Sequence, residues 1–228
     1  MSRGILFLIG AGASVDSGLP TYRGEGGTSQ NPESILDVHN DLAVIWQFLA
    51  PLYQKIKDSV PGETYALIKE LGEKYPDSLI VNQNIDGHAQ STGIPVIELH
   101  GNHSTMTCRN SNCRKQAPSN PEDYFCTTCG DFCRPDIVLY GEAISTKKLQ
   151  EVYSHLKKRP ELMLVIGTSR SLPYLDRIIE KAKMRGVRIC HINPDPEYSV
   201  SGRDVWYRKT ASEGLQLFLE SWRKDKEE

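Results

Sequence analysis

The sequence predicts an α/β protein: a parallel sheet with helices on both faces, interrupted by two insertions that together make a smaller second lobe. Three observations carry this. A continuous apolar run from Ile5 to Ile9 enters Gly10-Ala-Gly12, as a buried parallel strand does when it meets a tight turn. Further short apolar runs alternate with helix-like stretches, the pattern of strand-helix-strand units. Two segments break the alternation, and one of them crowds five of the six cysteines between Cys108 and Cys133.

Taken in order, the strands after Ile5 to Ile9 are expected at Ser78 to Val81, Val96 to Leu99, Ile137 to Tyr140, Leu162 to Ile166 and Val187 to Ile192. Helices are expected at Glu63 to Lys74, Ser145 to Lys158, Pro173 to Arg185 and Ala211 to Arg223. The first insertion carries Gly, Ser and Asn early, then an apolar stretch from Leu42 to Val60 that reads as a helix kinked at Pro51. The second is polar and cysteine-bearing. The resulting division is a large domain of residues 1–24, 62–103 and 136–228, a helical module of 25–61 and a metal module of 104–135.

Composition narrows the function classes. The 228 residues carry 27 basic and 29 acidic side chains, a formal charge of −2 that gives no general drive toward nucleic acid or anionic lipid. Six cysteines are too few for a disulfide scaffold. The apolar run at the start is far shorter than the roughly 20 residues of a membrane span and has no basic flank or cleavage site, so an intracellular protein is expected.

Cys108-Arg-Asn-Ser-Asn-Cys113 and Cys126-Thr-Thr-Cys129 are two close pairs separated by 12 residues. That spacing lets two loops offer four thiolates to one tetrahedral Zn²⁺, and a complete set of four protein ligands marks a structural ion, here in a zinc-ribbon module. Cys133 is a spare candidate. Cys190, inside an apolar strand, reads as a small core residue.

The loop Gly10-Ala-Gly12-Ala-Ser14 would bring backbone amides to a pyrophosphate, although its spacing is neither the usual dinucleotide fingerprint nor a P-loop. Three other strand ends support a ligand crevice: Asn82-Gln83-Asn84-Ile85-Asp86, Gly167-Thr168-Ser169 and Asn193. In an open parallel sheet these carboxyl ends converge. Asn84 and Asp86 suit an amide or sugar hydroxyl, and Thr168 and Ser169 a phosphate or ribose. His100 closes another strand at the edge of the second lobe and is the candidate general base, with His88 and His103 as competitors. His39, His155 and His191 read as background.

Together these residues resemble the sirtuins, NAD-dependent protein lysine deacylases, over nearly the whole chain. The segment from Gly10 to Gly24, Gln83-Asn84-Ile85-Asp86, Leu99-His100-Gly101, the paired cysteines, Arg134-Pro-Asp-Ile-Val-Leu-Tyr-Gly-Glu142, Gly167-Thr-Ser169 and Ile192-Asn193 follow the family's motifs in order. The resemblance implies a Rossmann-like large domain, a small zinc and helical domain, and a substrate tunnel between them. It implies NAD as co-substrate, bound by Gly10, Ala11, Gly12, Ser14, Tyr22, Arg23, Gln83, Asn84, Asp86, Gly167, Thr168, Ser169 and Asn193. Catalysis would fall to His100, Asn84 and Asp86, with His100 deprotonating a ribose hydroxyl once the acyl oxygen has displaced nicotinamide to give an alkylimidate. Ile137, Val138, Tyr140, Gly141 and Glu142 would hold an acyl-lysine protein or peptide, and Cys108, Cys113, Cys126 and Cys129 would bind structural zinc.

The sequence departs from the family at Gly87-His88-Ala89 and at Leu139-Tyr140. Leu49-Ala-Pro-Leu52 lacks the Tyr and Arg pair of members that take acidic acyl groups, which favours acetyl or a longer apolar chain. The expected activity is deacetylation; the alternatives are a sirtuin-like ADP-ribosyltransferase, an NAD hydrolase, or an NAD sensor without turnover. No membrane or nucleic-acid partner is expected. The expected state is a monomer, cytoplasmic, with the nucleus as the second compartment.

Overall fold

The computed structural model describes residues 3–21, 41–139 and 141–227. In chain order the strands are β1 (Ile5–Ile9), β2 (Leu79–Asn82), β3 (Val96–Glu98), β4 (Gly101–Cys108), β5 (Gln116–Pro118), β6 (Cys133–Ile137), β7 (Leu162–Ile166), β8 (Arg188–Ile192) and β9 (Val205–Tyr207). The α-helices are α1 (Leu42–Asp58), α2 (Glu63–Lys74), α3 (Thr146–Lys157), α4 (Pro173–Lys183) and α5 (Ala211–Glu227). Two 3-10 helices, Ala11–Ser17 and His88–Thr92, follow β1 and β2. Among the described residues no helix is long and apolar enough to cross a membrane.

Six strands form one parallel sheet in the order β3-β2-β1-β7-β8-β9. Alternate side chains of β1 explain its unbroken apolar run: Ile5, Phe7 and Ile9 pack under α2 and α5, while Leu6 and Leu8 pack under α3 and α4. Both faces are therefore covered, as expected. The strand order reverses between β1 and β7, which opens a crevice at their carboxyl ends.

A three-stranded antiparallel sheet, β5-β4-β6, stands apart from the parallel one. Helix α1 lies on it, burying Ile45, Trp46, Leu49 and Tyr53 against Met106, Cys108, Cys126, Cys133 and Ile137. The Trp46 indole donates to the Cys133 carbonyl at 2.9 Å, so the two insertions share one core. Asp41 caps α1 by accepting from Ala43 N at 2.9 Å. The helix continues through Pro51, which lies on its exposed side and supplies no amide to the Gln47 carbonyl one turn earlier.

The glycine loop leads into a 3-10 helix. The strand expected at Ile137 to Tyr140 does not exist: Ile137 ends β6 of the small sheet, and Val138 and Leu139 are irregular, with Tyr140 outside the described residues. The antiparallel register carries one bond further, from Val138 N–H to the His100 carbonyl at 2.8 Å, and ends where Leu139 N–H is taken by the Glu142 carboxylate at 2.9 Å. The short strand β9 was not anticipated, because three half-exposed residues carry too little apolar pattern.

Helix α2 has no cap of its own. Asp16, from the 3-10 helix after β1, accepts from Thr64 N and Thr64 Oγ1, both at 2.7 Å, and Ser17 Oγ accepts from Gly62 N at 2.9 Å. Asp16→Ala is expected to cost about 1–2 kcal/mol, measured by chemical denaturation, because it strips both donors of their partner. A larger penalty arises where two loops cross: Gly12 N donates to Gly167 O at 2.9 Å, and a Cβ on Gly12 would lie 2.6 Å from Gly167 Cα. Gly167 itself has φ of 59° and would meet the Gly12 backbone at 2.5 Å. Gly167→Ala is expected to destabilise by about 2 kcal/mol or more, since neither backbone can yield without breaking the crossing; a melting temperature equal to the parent's would contradict this.

Candidate active site

The carboxyl ends of β1, β2, β7 and β8 are stitched to one another by backbone and amide bonds. Gly10 N donates to Ile166 O at 3.0 Å, Gly167 N to Ile192 O at 3.0 Å, and Gln83 N to Ile9 O at 3.0 Å. Gln83 Nε2 reaches the same Ile9 carbonyl at 3.1 Å, and Asn193 Nδ2 donates to Thr168 O at 2.9 Å. The four polar strand ends singled out in the sequence thus meet on one rim. Ser169 stays exposed there and Thr168 is buried. Ala11 is half-buried in the turn; Tyr22 and Arg23 lie outside the described residues.

Beneath the glycine loop sits a buried polar network with a defined direction. Ser14 Oγ donates to Asp86 Oδ2 at 2.6 Å, which uses its only proton. The 2.7 Å contact between Ser14 Oγ and Tyr65 OH must therefore be a bond donated by the phenol. Burial and the nearby Asp86 raise the Tyr65 pKa, keeping the phenol protonated for that role. Asn84 Nδ2 donates to Gly10 O at 3.0 Å and to Ser14 Oγ at 3.1 Å. Asp86 Oδ1 accepts from His88 N at 2.9 Å. Each Asp86 oxygen keeps a second lone pair for a ligand amide.

His100 follows β3 and precedes Gly101, where φ is 80° and a Cβ would collide with the Asp136 carbonyl. Its Nδ1 lies 2.7 Å from the Gln83 carbonyl, an acceptor only, so Nδ1 carries the proton and Nε2 the lone pair in the neutral ring. Nε2 lies 2.7 Å from Tyr174 OH at the start of α4. Burial first, and Lys148 on α3 second, lower the His100 pKa against the opposing Gln83 bond. The neutral, proton-accepting form therefore prevails at neutral pH.

The competing histidines are engaged elsewhere. His103 Nδ1 is 2.9 Å from the Ile85 carbonyl, and its ring stands edge-on to Tyr53. His88 is buried, bridging Ser17 Oγ at 3.2 Å and Ser59 Oγ at 3.0 Å. His191, read as background, has a polar setting after all: it is fully buried between Tyr198 OH at 2.7 Å and Asp204 Oδ2 at 3.0 Å. Cys190 belongs to the core as expected. Tyr65 and Tyr174, both bonded to candidate site residues, escaped the sequence reading because each lies on a helix surface pattern that reads as packing.

Toward the small lobe, Ile137, Val138, Gly141 and Glu142 border the end of β6. Arg134 holds Glu142 with two bonds of 2.9 and 3.0 Å, and Glu142 N closes a turn on Leu139 O at 3.0 Å. Below it, the sulfurs of Cys108, Cys113, Cys126 and Cys129 all lie within 4.8 Å of one another, with Sγ to Sγ separations of 3.5 Å for Cys108 and Cys129 and 3.7 Å for Cys113 and Cys126. A tetrahedral ion with metal–sulfur bonds of about 2.3 Å requires separations of about 3.8 Å, so the donor set fits. Amide groups of Thr128 and Cys129 aimed at Cys126 bring its thiol down to about 6. Cys133 is not one of the four; it is buried against α1.

A doubly wound sheet with a polar crevice at its switch point, a histidine at the end of β3 and a four-cysteine lobe beside it defines a two-lobed protein of α/β type. The sequence model of the Sir2 family matches residues 10–173. An NAD-dependent protein deacylase 2 of Pseudomonas syringae pv. tomato is 30% identical over 227 residues, covering 91% of each chain. An NAD-dependent protein deacylase 1 of Caldanaerobacter subterraneus subsp. tengcongensis is 33% identical over 203 residues, covering 82% of this chain and 81% of that one. Among solved structures, a Sir2 homologue variant in complex with 2'-O-acetyl ADP ribose superposes with a TM-score of 0.84 at 28% identity, over 98% of this chain and 93% of the other. A Sir2–p53 peptide–NAD+ structure gives 0.80 at 26% identity, over 96% and 93%. The chain belongs to the Sir2 family.

Proposed function

We propose that this protein is an NAD-dependent protein lysine deacylase, with acetyl-lysine peptides as its first substrate class, consuming NAD and one water and releasing nicotinamide, the free lysine side chain and acylated ADP-ribose. The observation that carries the reading is His100: a half-buried, neutral imidazole whose Nδ1 proton is fixed by the Gln83 carbonyl, one residue before Asn84 of the Ser14, Asn84 and Asp86 network. NAD supplies the ribose carbon to which the acyl oxygen transfers and the nicotinamide that leaves. Gly10, Ala11, Gly12, Ser14 and Arg23 bind the pyrophosphate and nicotinamide ribose, Tyr22 shields the sugar, and Asp86 accepts from the nicotinamide carboxamide. Asn84 and Gln83 orient the ribose; Gly167, Thr168, Ser169 and Asn193 take the phosphate and adenine ribose. His100 Nε2 then removes a proton from a ribose hydroxyl, a task suited to a base that is neutral at working pH. The buried crevice floor excludes water, which favours acyl transfer over hydrolysis.

Ile137, Val138, Tyr140, Gly141 and Glu142 form the edge for the acyl-lysine segment of a protein or peptide. Cys108, Cys113, Cys126 and Cys129 hold a structural Zn²⁺ that stiffens the lobe presenting that edge. The division at residues 1–24, 62–103 and 136–228 against 25–61 and 104–135 belongs to the same reading, supported by separate apolar clusters on the two sides.

The Leu139 N–H, a donor a substrate backbone would use, is engaged by Glu142, which favours a second reading as an NAD hydrolase or ADP-ribosyltransferase. Mass spectrometry of the products formed from NAD with and without an acetyl-lysine peptide separates them. The expected result is peptide-dependent acetylated ADP-ribose. Free ADP-ribose without peptide, or ADP-ribose attached to protein, would overturn the deacylase reading.

A further inference from the structure

The His100 lone pair is already taken. Tyr174 OH lies 2.7 Å from Nε2, the ring planes are nearly perpendicular at 89°, and Nδ1 is committed to Gln83, so the phenol must donate to Nε2. Burial raises the Tyr174 pKa, which leaves the phenol a donor throughout the working range. An imidazole nitrogen has one lone pair in the ring plane; a substrate hydroxyl cannot bond it while Tyr174 does.

The geometry points to Tyr174 as a resident stand-in for the substrate hydroxyl: it caps the base in the free protein and is displaced when the ribose binds. This rests on the deacylase reading above, and assigns a positioning role to a residue that enters none of the motifs in the sequence. Tyr174 is well placed to respond to the cofactor. It follows the Gly167-Thr168-Ser169 loop by five residues, and Pro173 starts α4 directly before it. The cap holds the tautomer with Nδ1 protonated and keeps Nε2 satisfied in a half-buried setting. The other charged group acting on the ring is Lys148 of α3, whose ammonium bonds the Glu98 carbonyl and not the imidazole.

A cap that must leave opposes binding, so removing its hydroxyl strengthens binding, the reverse of what loss of a supporting contact does. Tyr174→Phe keeps the ring and its packing. It is expected to bind ADP-ribose about two- to ten-fold more tightly than the parent by titration calorimetry, the range set by a net intramolecular hydrogen bond. Nitrogen NMR of the full chain supplies a second readout. The His100 Nε2 resonance should move toward that of an unbonded ring nitrogen in the free variant, and ADP-ribose should abolish the difference between variant and parent. Equal or weaker binding by Tyr174→Phe, or an Nε2 resonance identical in the two free proteins, overturns the cap. A parent protein that binds no ADP-ribose overturns the cofactor reading itself, a separate and recognisable failure.

Discussion

Replacing His100 with alanine is expected to lower acyl transfer from an acetyl-lysine peptide by about 10²–10⁴-fold, the usual contribution of a general base. Exchange of labelled nicotinamide into NAD in the presence of peptide should persist, because the base acts after nicotinamide has left. The substitution removes one bond to the Gln83 carbonyl but leaves Gln83 N and Nε2 on the Ile9 carbonyl, so the fold and metal content should match the parent. The pH profile follows from the direction of the shift. Burial and Lys148 hold the His100 pKa below its ordinary value near 6.5, and only the deprotonated ring accepts a proton. The rate should therefore be flat through neutrality and fall tenfold per pH unit only below the lowered pKa, with that limb absent from the residual rate of the variant. Joint loss of exchange and transfer would instead assign His100 to cofactor binding.

Withdrawal of the metal is expected to have the second large effect. Structural zinc contributes on the order of 10–16 kcal/mol in small cysteine modules, comparable with the whole stability of a domain. The core shared by α1 and the small sheet includes Cys108, Cys126 and Cys133, so opening the cluster removes the floor on which Trp46 rests. Cys126→Ser, or a strong chelator, should abolish peptide deacylation, shift the tryptophan emission to the red and leave most of the far-ultraviolet signal of the parallel sheet and its helices. One zinc per parent chain and none in the variant, by elemental analysis, completes the expectation. A metal-free protein with parent emission and activity would refute the structural role.

Much of this could be read from the chain because the informative residues are local. The apolar run of β1 with Gly10 and Gly12, the helix bounds of α2, and the two cysteine pairs each combine a residue type with a spacing that physics restricts to few uses. Ser145 and Lys158, the predicted ends of one helix, are the capping residues of α3. The small antiparallel sheet was not legible: β4 and β5 alternate weakly, and their apolar side is covered by α1, which lies more than 40 residues earlier in sequence. The mistaken strand at Ile137 to Tyr140 has the same origin. Its apolar residues have strand character, but once Val138 has extended the β4 register to His100 the next donor, Leu139 N–H, is taken by the Glu142 carboxylate.

The candidate site divides in the same way. Asn84, Asp86, His100 and Asn193 are identifiable as polar residues at the ends of apolar strands, and a parallel sheet necessarily gathers such ends on one edge. The reason Gly12 and Gly167 are glycines was only half visible. A phosphate loop needs small residues, yet here the two positions also press against each other's backbone. Tyr65 and Tyr174 were invisible as functional groups, since a tyrosine on an amphipathic helix is indistinguishable by pattern from one that only fills space.

The sequence by itself determined the α/β class, the starts of the principal helices, the two cysteine pairs that cluster and which strand ends carry polar residues, because each is written in neighbouring residues. Tertiary structure decided the rest: which side of each hydroxyl donates, which nitrogen of His100 bears the proton, and what occupies its lone pair. Those depend on distances between residues 17 to 74 positions apart, where a change of an ångström makes or breaks a hydrogen bond and no local pattern constrains the outcome.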